Sequence, residues 1–316
     1  MKFYRNLIIL SVVLLALVIT YAFLPKKDET EKELGTPNSN LTIKTFKNED
    51  VKEISLKNFS GTIVLTKIGK DWKMTRPRDY QLDNVYVTSF TKNIFNFKAM
   101  DIIDEKPSDL SIYGLNSPDA VLTVKTKNGT STNFKLGTKL PTENGYYLMT
   151  SDSAVVYSIN NFSAGDLLRT TGEFRDKTIF AFNKKDVAYL AISQKGKVLF
   201  RFNKNKNNWD VVNDVNKIAV AGDKKKIENI IDKLSSLKIK EFLNPITVDK
   251  EEVIGSSVSY TITIGIDKKP ELKLIVGKDK DEASTYAEKE SLDEVFALYK
   301  GDVDFVHSKA EEFMKK

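Results

Sequence analysis

The segment Thr42 to Val51, TIKTFKNEDV, returns at Thr178 to Val187 as TIFAFNKKDV, and this internal match constrains the chain more than any other feature. Thr42, Ile43, Phe46, Asp50 and Val51 coincide with Thr178, Ile179, Phe182, Asp186 and Val187 at a constant offset of 136 residues. Downstream, Ile54 and Leu56 face Leu190 and Ile192 at the same spacing, and Gly61 and Trp72 meet Gly196 and Trp209 at offsets of 135 and 137. Self-similarity at a fixed period marks a structural unit written more than once. Two tandem modules are therefore expected, residues 42–177 and 178–316.

Each copy reads as strands, then a helix, then strands. Ile54 and Leu56, Ile63 and Leu65, and later Val198, Phe200 and Phe202 alternate with polar residues, the period of half-buried strands. Trp72 and Trp209 are expected to close three-stranded meanders and to pack as core residues. Asp83 and Asp223 are placed to accept from the free amides of a first helical turn. The stripe Val87, Phe90, Ile94 and Phe97 follows the first, and Ile227, Ile230, Ile231, Leu234 and Leu237 follow the second, both at helical spacing. Strands resume around the Asn128-Gly129 turn and at Phe134, Tyr146-Tyr147 and Val155 to Ile159. In the second copy they resume at Tyr260 to Ile266, Glu271 to Val276, Tyr286 and Val295 to Tyr299. A helical joint is expected from Phe162 to Thr171. The fold class is α+β, each module an antiparallel sheet with a helix packed on one face.

Ahead of the modules, Leu7 to Leu24 runs 18 residues without a charge. As a helix it extends about 27 Å, close to the hydrocarbon thickness of a bilayer. It is longer than the apolar core of a cleaved signal and ends Tyr-Ala-Phe-Leu-Pro without a small-x-small site. Residues 1–24 are expected to form a single-pass transmembrane helix and residues 25–41 a flexible tether. A short basic tail kept in the cytoplasm, with Lys2 and Arg5, sets the modules on the extracytoplasmic side of the cell membrane.

Composition removes several chemistries. The chain has no cysteine, so disulfides, thiol nucleophiles and thiolate metal sites are excluded. A single histidine, His307, excludes an imidazole cage. The net charge of +6 is spread over dispersed lysines without interleaved aromatics, which argues against nucleic acid as a partner and admits an anionic envelope polymer. No catalytic residue, cofactor or metal site is expected. The acidic run Lys278 to Glu282 lacks the glycine and distal glutamate of a calcium loop and reads as a hairpin turn.

Several elements together resemble a known bacterial family. They are the apolar start, the Trp72-x-x-x-x-Pro77 segment, Asp109-Leu110 with Tyr113-Gly114-Leu115 and Pro118, Leu136-Gly137, Tyr146-Tyr147, and Arg175-Asp176-Lys177 before the second copy. This set is similar to the proteins grouped as domain of unknown function 4340, over about Thr42 to Val306. The resemblance implies a membrane-anchored envelope protein working beside transporters of the ATP-binding-cassette (ABC) type, and it carries over no catalytic residue.

Three residues are candidate partner contacts. Arg76 and Arg78 form the one close arginine pair in a chain where 43 of 49 basic residues are lysine, and guanidinium forks suit carboxylate or phosphate. Tyr113 sits in a turn where Gly114 is free to take positive φ. The expected function is a non-catalytic accessory or recognition subunit of an envelope complex. A glycan-active envelope enzyme using carboxylates, and a passive scaffold or anionic-polymer binder, stand as alternatives.

Overall fold

Alternating side chains and short turns dominate the described chain, and mostly antiparallel sheets result. The computed structural model describes residues 41–213, 217–243, 247–255, 257, 259–292 and 294–316. The expected anchor and, except for Leu41, the tether lie outside the described residues. No described helix is long and apolar enough to cross a membrane.

In chain order come β1 (Thr42–Thr45), β2 (Val51–Asn58), β3 (Gly61–Ile68), β4 (Asp71–Arg76), α1 (Asn84–Phe95), β5 (Asn96–Lys98), β6 (Asp101–Asp104), β7 (Ala120–Thr126), β8 (Ser131–Lys139), β9 (Gly145–Thr150), β10 (Val156–Asn160), α2 (Asn161–Leu167) and α3 (Thr171–Phe174). There follow β11 (Val187–Gln194), β12 (Lys197–Asn205), β13 (Asn208–Asn213), β14 (Ala219–Ala221), α4 (Lys224–Ser235), β15 (Glu241–Phe242), α5 (Lys250–Ile254), β16 (Tyr260–Ile266), β17 (Leu272–Asp281), β18 (Ser284–Lys289), β19 (Val295–Tyr299) and α6 (Lys300–Val303). β1 and β5 form a two-stranded ribbon. An eight-stranded sheet runs β4-β3-β2-β7-β8-β9-β10-β6, and a nine-stranded sheet runs β14-β13-β12-β11-β16-β17-β18-β19-β15. In the eight-stranded sheet a three-strand meander ending at the tryptophan strand β4 lies beside a four-strand meander, with β6 at the far edge. The nine-stranded sheet has the same order with β15 at the far edge, but Trp209 does not close its meander, because β14 pairs beyond β13.

The described chain gathers into two compact units, one of the chain up to Glu49, Asn93–Leu122 and Thr132–Leu167, the other of Asp50–Lys92, Thr123–Ser131 and Leu168–Lys316. In the first unit an aromatic group forms around Phe134, whose ring centre lies 6.2 Å from Phe46 and 5.0 Å from Phe97. Helical spacing puts Phe97 at the end of the first helix's stripe. The helix instead stops at Phe95, because Asn96-Phe97-Lys98 alternates and pairs with Thr42–Thr45, so Phe97 is buried from a strand.

In the second unit Ile54, Leu56, Ile63, Leu65 and Met74 bury the inner side of β2, β3 and β4. Asp83 accepts from the amides of Val85 and Tyr86 at 3.0 Å and starts α1. Further along, α4 lays Ile227, Ile230, Ile231 and Leu234 on a core shared with Leu190, Ile192, Phe202, Trp209, Ile262 and Leu274. Each such side chain contributes about 1.5–3 kcal/mol on burial. Phe313, from a short turn near the carboxyl end, closes this core against Phe202 with ring centres 5.0 Å apart. Two expectations are corrected in detail. The joint forms two short helices, α2 and α3. Lys278 to Asp281 continue β17, so the turn falls at Glu282-Ala283.

Candidate functional site

Arg76 is aimed by an irregularity. Along β4, strict alternation puts Arg76 on the same side as Met74, which is wholly buried. The register to β3, however, pairs Leu65 with Met74 and Val64 with Arg76, so Thr75 is an extra residue in the strand. A bulge of this kind turns the next side chain to a new direction. Arg76 thereby points to the outer face and lines an open trough of about 490 Å³ with Glu53, Ser55, Thr62, Val64, Thr75, Thr123 and Lys125. Within it Lys125 donates to Glu53 at 2.8 Å, and the hydroxyls of Thr75 and Thr66 lie 3.1 Å apart. Arg78, Arg169 and Arg175 each hold a carboxylate, whereas among the described residues no ion pair engages the Arg76 guanidinium.

Arg78, two residues on, has a different use. It pairs with Glu294 and lies 4.7 Å over the ring of Tyr80. The other oxygen of Glu294 accepts from Arg175 at 2.5 Å. Arg175 is 7% exposed, its guanidinium between the rings of Tyr80 at 3.9 Å and Phe242 at 3.5 Å. Burial pushes its pKa down to about 10, with Arg78 adding to the fall and Tyr80 opposing it, so it stays charged at neutral pH. The backbone here is tied as well. Leu82 bridges Arg175, the Asp176 amide donates to the Gln81 carbonyl at 2.8 Å, and the Ile239 amide donates to the Lys177 carbonyl at 2.8 Å. Arg175-Asp176-Lys177 therefore works as a clamp within the second unit.

Tyr113 belongs to the first unit and is nearly buried. Its hydroxyl donates to Asp104 at 2.8 Å, and its ring stands edge-on to Tyr147 with centres 5.0 Å apart. The hydrogen bond to Asp104, followed by burial, holds the phenol's pKa above its ordinary value. Around it the motif positions interlock. Gly114 takes φ of 68°, and a Cβ on Gly137 would stand 2.0 Å from the Tyr113 carbonyl oxygen. Leu115 and Val156 complete a small apolar cluster. Asp109 accepts from the Ser111 hydroxyl and from its amide at 2.8 Å; the hydroxyl first and the amide second lower its pKa and fix the start of the turn. The three candidate residues thus separate: Arg76 faces an open trough, Arg78 is held by Glu294, and Tyr113 is a packing residue.

The remaining candidates have structural uses. Trp209 lies in the core, and His307 stands edge-on to Tyr260 at 4.9 Å. Lys280 bonds Glu241 at 2.6 Å, Lys300 bonds Asp279 at 2.5 Å, and Lys278 pairs with Glu252, so ion pairs to β15, α6 and α5 engage the charges of the acidic run. Among the described residues no group of acidic or histidine side chains converges as a metal site would require. A second concavity, of about 740 Å³ between β13 and the start of α4, is lined by Asp210, Asp223, Lys224, Lys225, Lys226 and Lys315. There Lys226 donates to the Glu312 carbonyl at 2.7 Å and Lys224 stands 3.8 Å from Glu228.

Sequence reasoning missed Glu294, Glu53, Ser55, Thr62 and Thr123. The outward trough residues are ordinary strand positions, and only the pairing register reveals that they share a surface with Arg76.

The fold and this site define a sheet-dominated protein whose most recognisable residues hold turns and clamps. The family described as "Domain of unknown function (DUF4340)" matches residues 72–257, more than half of the chain, and the chain belongs to that family. No curated protein and no solved structure matches it.

Proposed function

We propose that the protein is a non-catalytic, membrane-anchored accessory or recognition subunit of a bacterial envelope complex, working beside an ABC-type transporter. One observation carries this reading. Tyr113, Gly114, Leu115, Gly137 and Tyr147 in one unit and Arg175 in the other are spent on holding the fold. A recognisable pattern consumed in this way frames a surface that meets a partner, and it gives no reactive centre. The anchor and the transporter association rest on the apolar run Leu7 to Leu24 and on the family resemblance. The shared strand order of the large sheets supports the finer reading of two duplicated modules, residues 42–177 and 178–316. A second reading, binding of an anionic polymer, is favoured by the outward-aimed Arg76.

The test is recovery of the tagged full-length chain from native membranes in mild detergent. Co-purification of an ATPase and a permease in fixed proportion supports the proposal. Recovery of the chain from the soluble fraction, or from membranes with neither component, refutes it.

A further inference from the structure

The geometry points to the trough on β4-β3-β2-β7 as a binding site for an oxyanion, phosphate or carboxylate, carried on a hydroxyl-bearing chain, with Arg76 as the residue that grips the anion.

Three features define that chemistry. First, the site has a cation with an open fork. The bulge at Thr75 carries Arg76 away from the buried side of β4, and a guanidinium presents paired donors that match the two oxygens of a carboxylate or phosphate. Arg76 is exposed, so the bulge both keeps its charge out of the core beside Met74 and delivers it to the open face. Second, the floor consists of hydroxyls. Ser55, Thr62, Thr75 and Thr123 stand on neighbouring strands and both donate and accept. Third, the negative charge present is offset, since Glu53 accepts from Lys125. Its carboxylate still has lone pairs for a ligand hydroxyl, while a second anion beside it is disfavoured. A bare polyanion matches only Arg76, and a neutral glycan matches only the floor. A chain bearing both groups matches the whole trough. Among the described residues no aromatic side chain lines it, so recognition runs through hydrogen bonds and charge without ring stacking.

The lysine-lined concavity at α4 makes a natural control. It holds more positive charge, yet Lys226 is engaged by a carbonyl and Asp210 and Asp223 share the wall. Diffuse attraction to cationic protein favours that surface, and specific recognition favours the trough.

The inference stands apart from the transporter association, because it concerns the purified chain alone. Full-length protein in detergent micelles is titrated calorimetrically with poly(glycerol phosphate), polygalacturonate and neutral dextran. Binding to one of the two anionic chains, at least about tenfold tighter than to dextran, is expected, and which one binds identifies the source of the oxyanion. Arg76→Gln should weaken it at least about tenfold, the scale of one hydrogen bond to a charged group. Thr62→Val, which keeps the strand's shape and propensity, should weaken it about two- to tenfold. Lys225→Gln should leave it unchanged. Absence of binding to both anionic chains overturns the proposal, as does equal loss in Lys225→Gln and Arg76→Gln, or undiminished binding by a folded Arg76→Gln chain.

Discussion

Arg175 and Glu294, 119 residues apart in the chain, close a 2.5 Å ion pair in which the arginine side chain is 8% exposed and the carboxylate 16%. The pair matters because Glu294 also holds Arg78, so one carboxylate offsets two guanidiniums. Removing one partner of a buried pair leaves an uncompensated charge, which costs about 3–5 kcal/mol. Glu294→Ala is expected to lower stability by about 3 kcal/mol in urea unfolding, with Arg175→Ala similar. Arg78 is 62% exposed, and Arg78→Ala should cost less than about 1 kcal/mol. Equal effects of Glu294→Ala and Arg78→Ala would remove Arg175 from its role as the clamp.

Gly137 and Gly129 separate close approach from backbone conformation. A Cβ at Gly137 meets the Tyr113 carbonyl oxygen at 2.0 Å, whereas Gly129 has φ of 90° and open space around it. Gly129→Ala should cost about 1–2 kcal/mol through its left-handed backbone. Gly137→Ala forces two backbone segments apart, and a loss above about 2 kcal/mol is expected, on the scale of overpacking. Thermal unfolding of both variants checks this, and a Gly137→Ala chain as stable as wild type would contradict the close packing of the Tyr113 turn.

Tyr113 gives the chain a dependence on alkaline pH. Its phenol is raised above the ordinary value of 10.0 in the folded state by the bond to Asp104. The folded state therefore keeps a proton that the unfolded state gives up. That contribution is fully present below the unfolded value and is lost as pH climbs through the raised one. Urea midpoints of wild type should fall more steeply above about pH 10 than those of Tyr113→Phe, which has no such proton. Parallel profiles would show that the Asp104 bond does not distinguish the two states.

Much of this architecture can be read from local pattern, and its exceptions share a cause. Period-two alternation at Ile54 to Leu65 and Tyr260 to Ile266 survives because those strands bury one face, and the stripe of α4 survives because it covers the same core. Phe97 escapes because an apolar residue at helical spacing is equally at home on a strand, and the partner that decides the matter, Thr42–Thr45, is remote in sequence. Lys278 to Asp281 read as a turn by charge alone, yet ion pairs to Glu241 on β15 and to Lys300 at the start of α6 offset the charges, and the strand continues. The site is less legible. Arg76 and Arg78 look equivalent in sequence. One extra residue in a strand register and one distant glutamate give them opposite uses. Tyr113 looks exposed in a polar turn, and it is Asp104 and Tyr147 that draw it inward.

Lysine acetylation footprinting tests recognition through the Arg76 face most directly. The full-length chain is labelled with and without a saturating oxyanion polymer, poly(glycerol phosphate) or polygalacturonate, and each lysine is read by mass spectrometry. Slower acetylation of Lys125, with Lys225 and Lys315 unchanged, is the predicted result. Protection of Lys225 and Lys315 with Lys125 unaltered would contradict it.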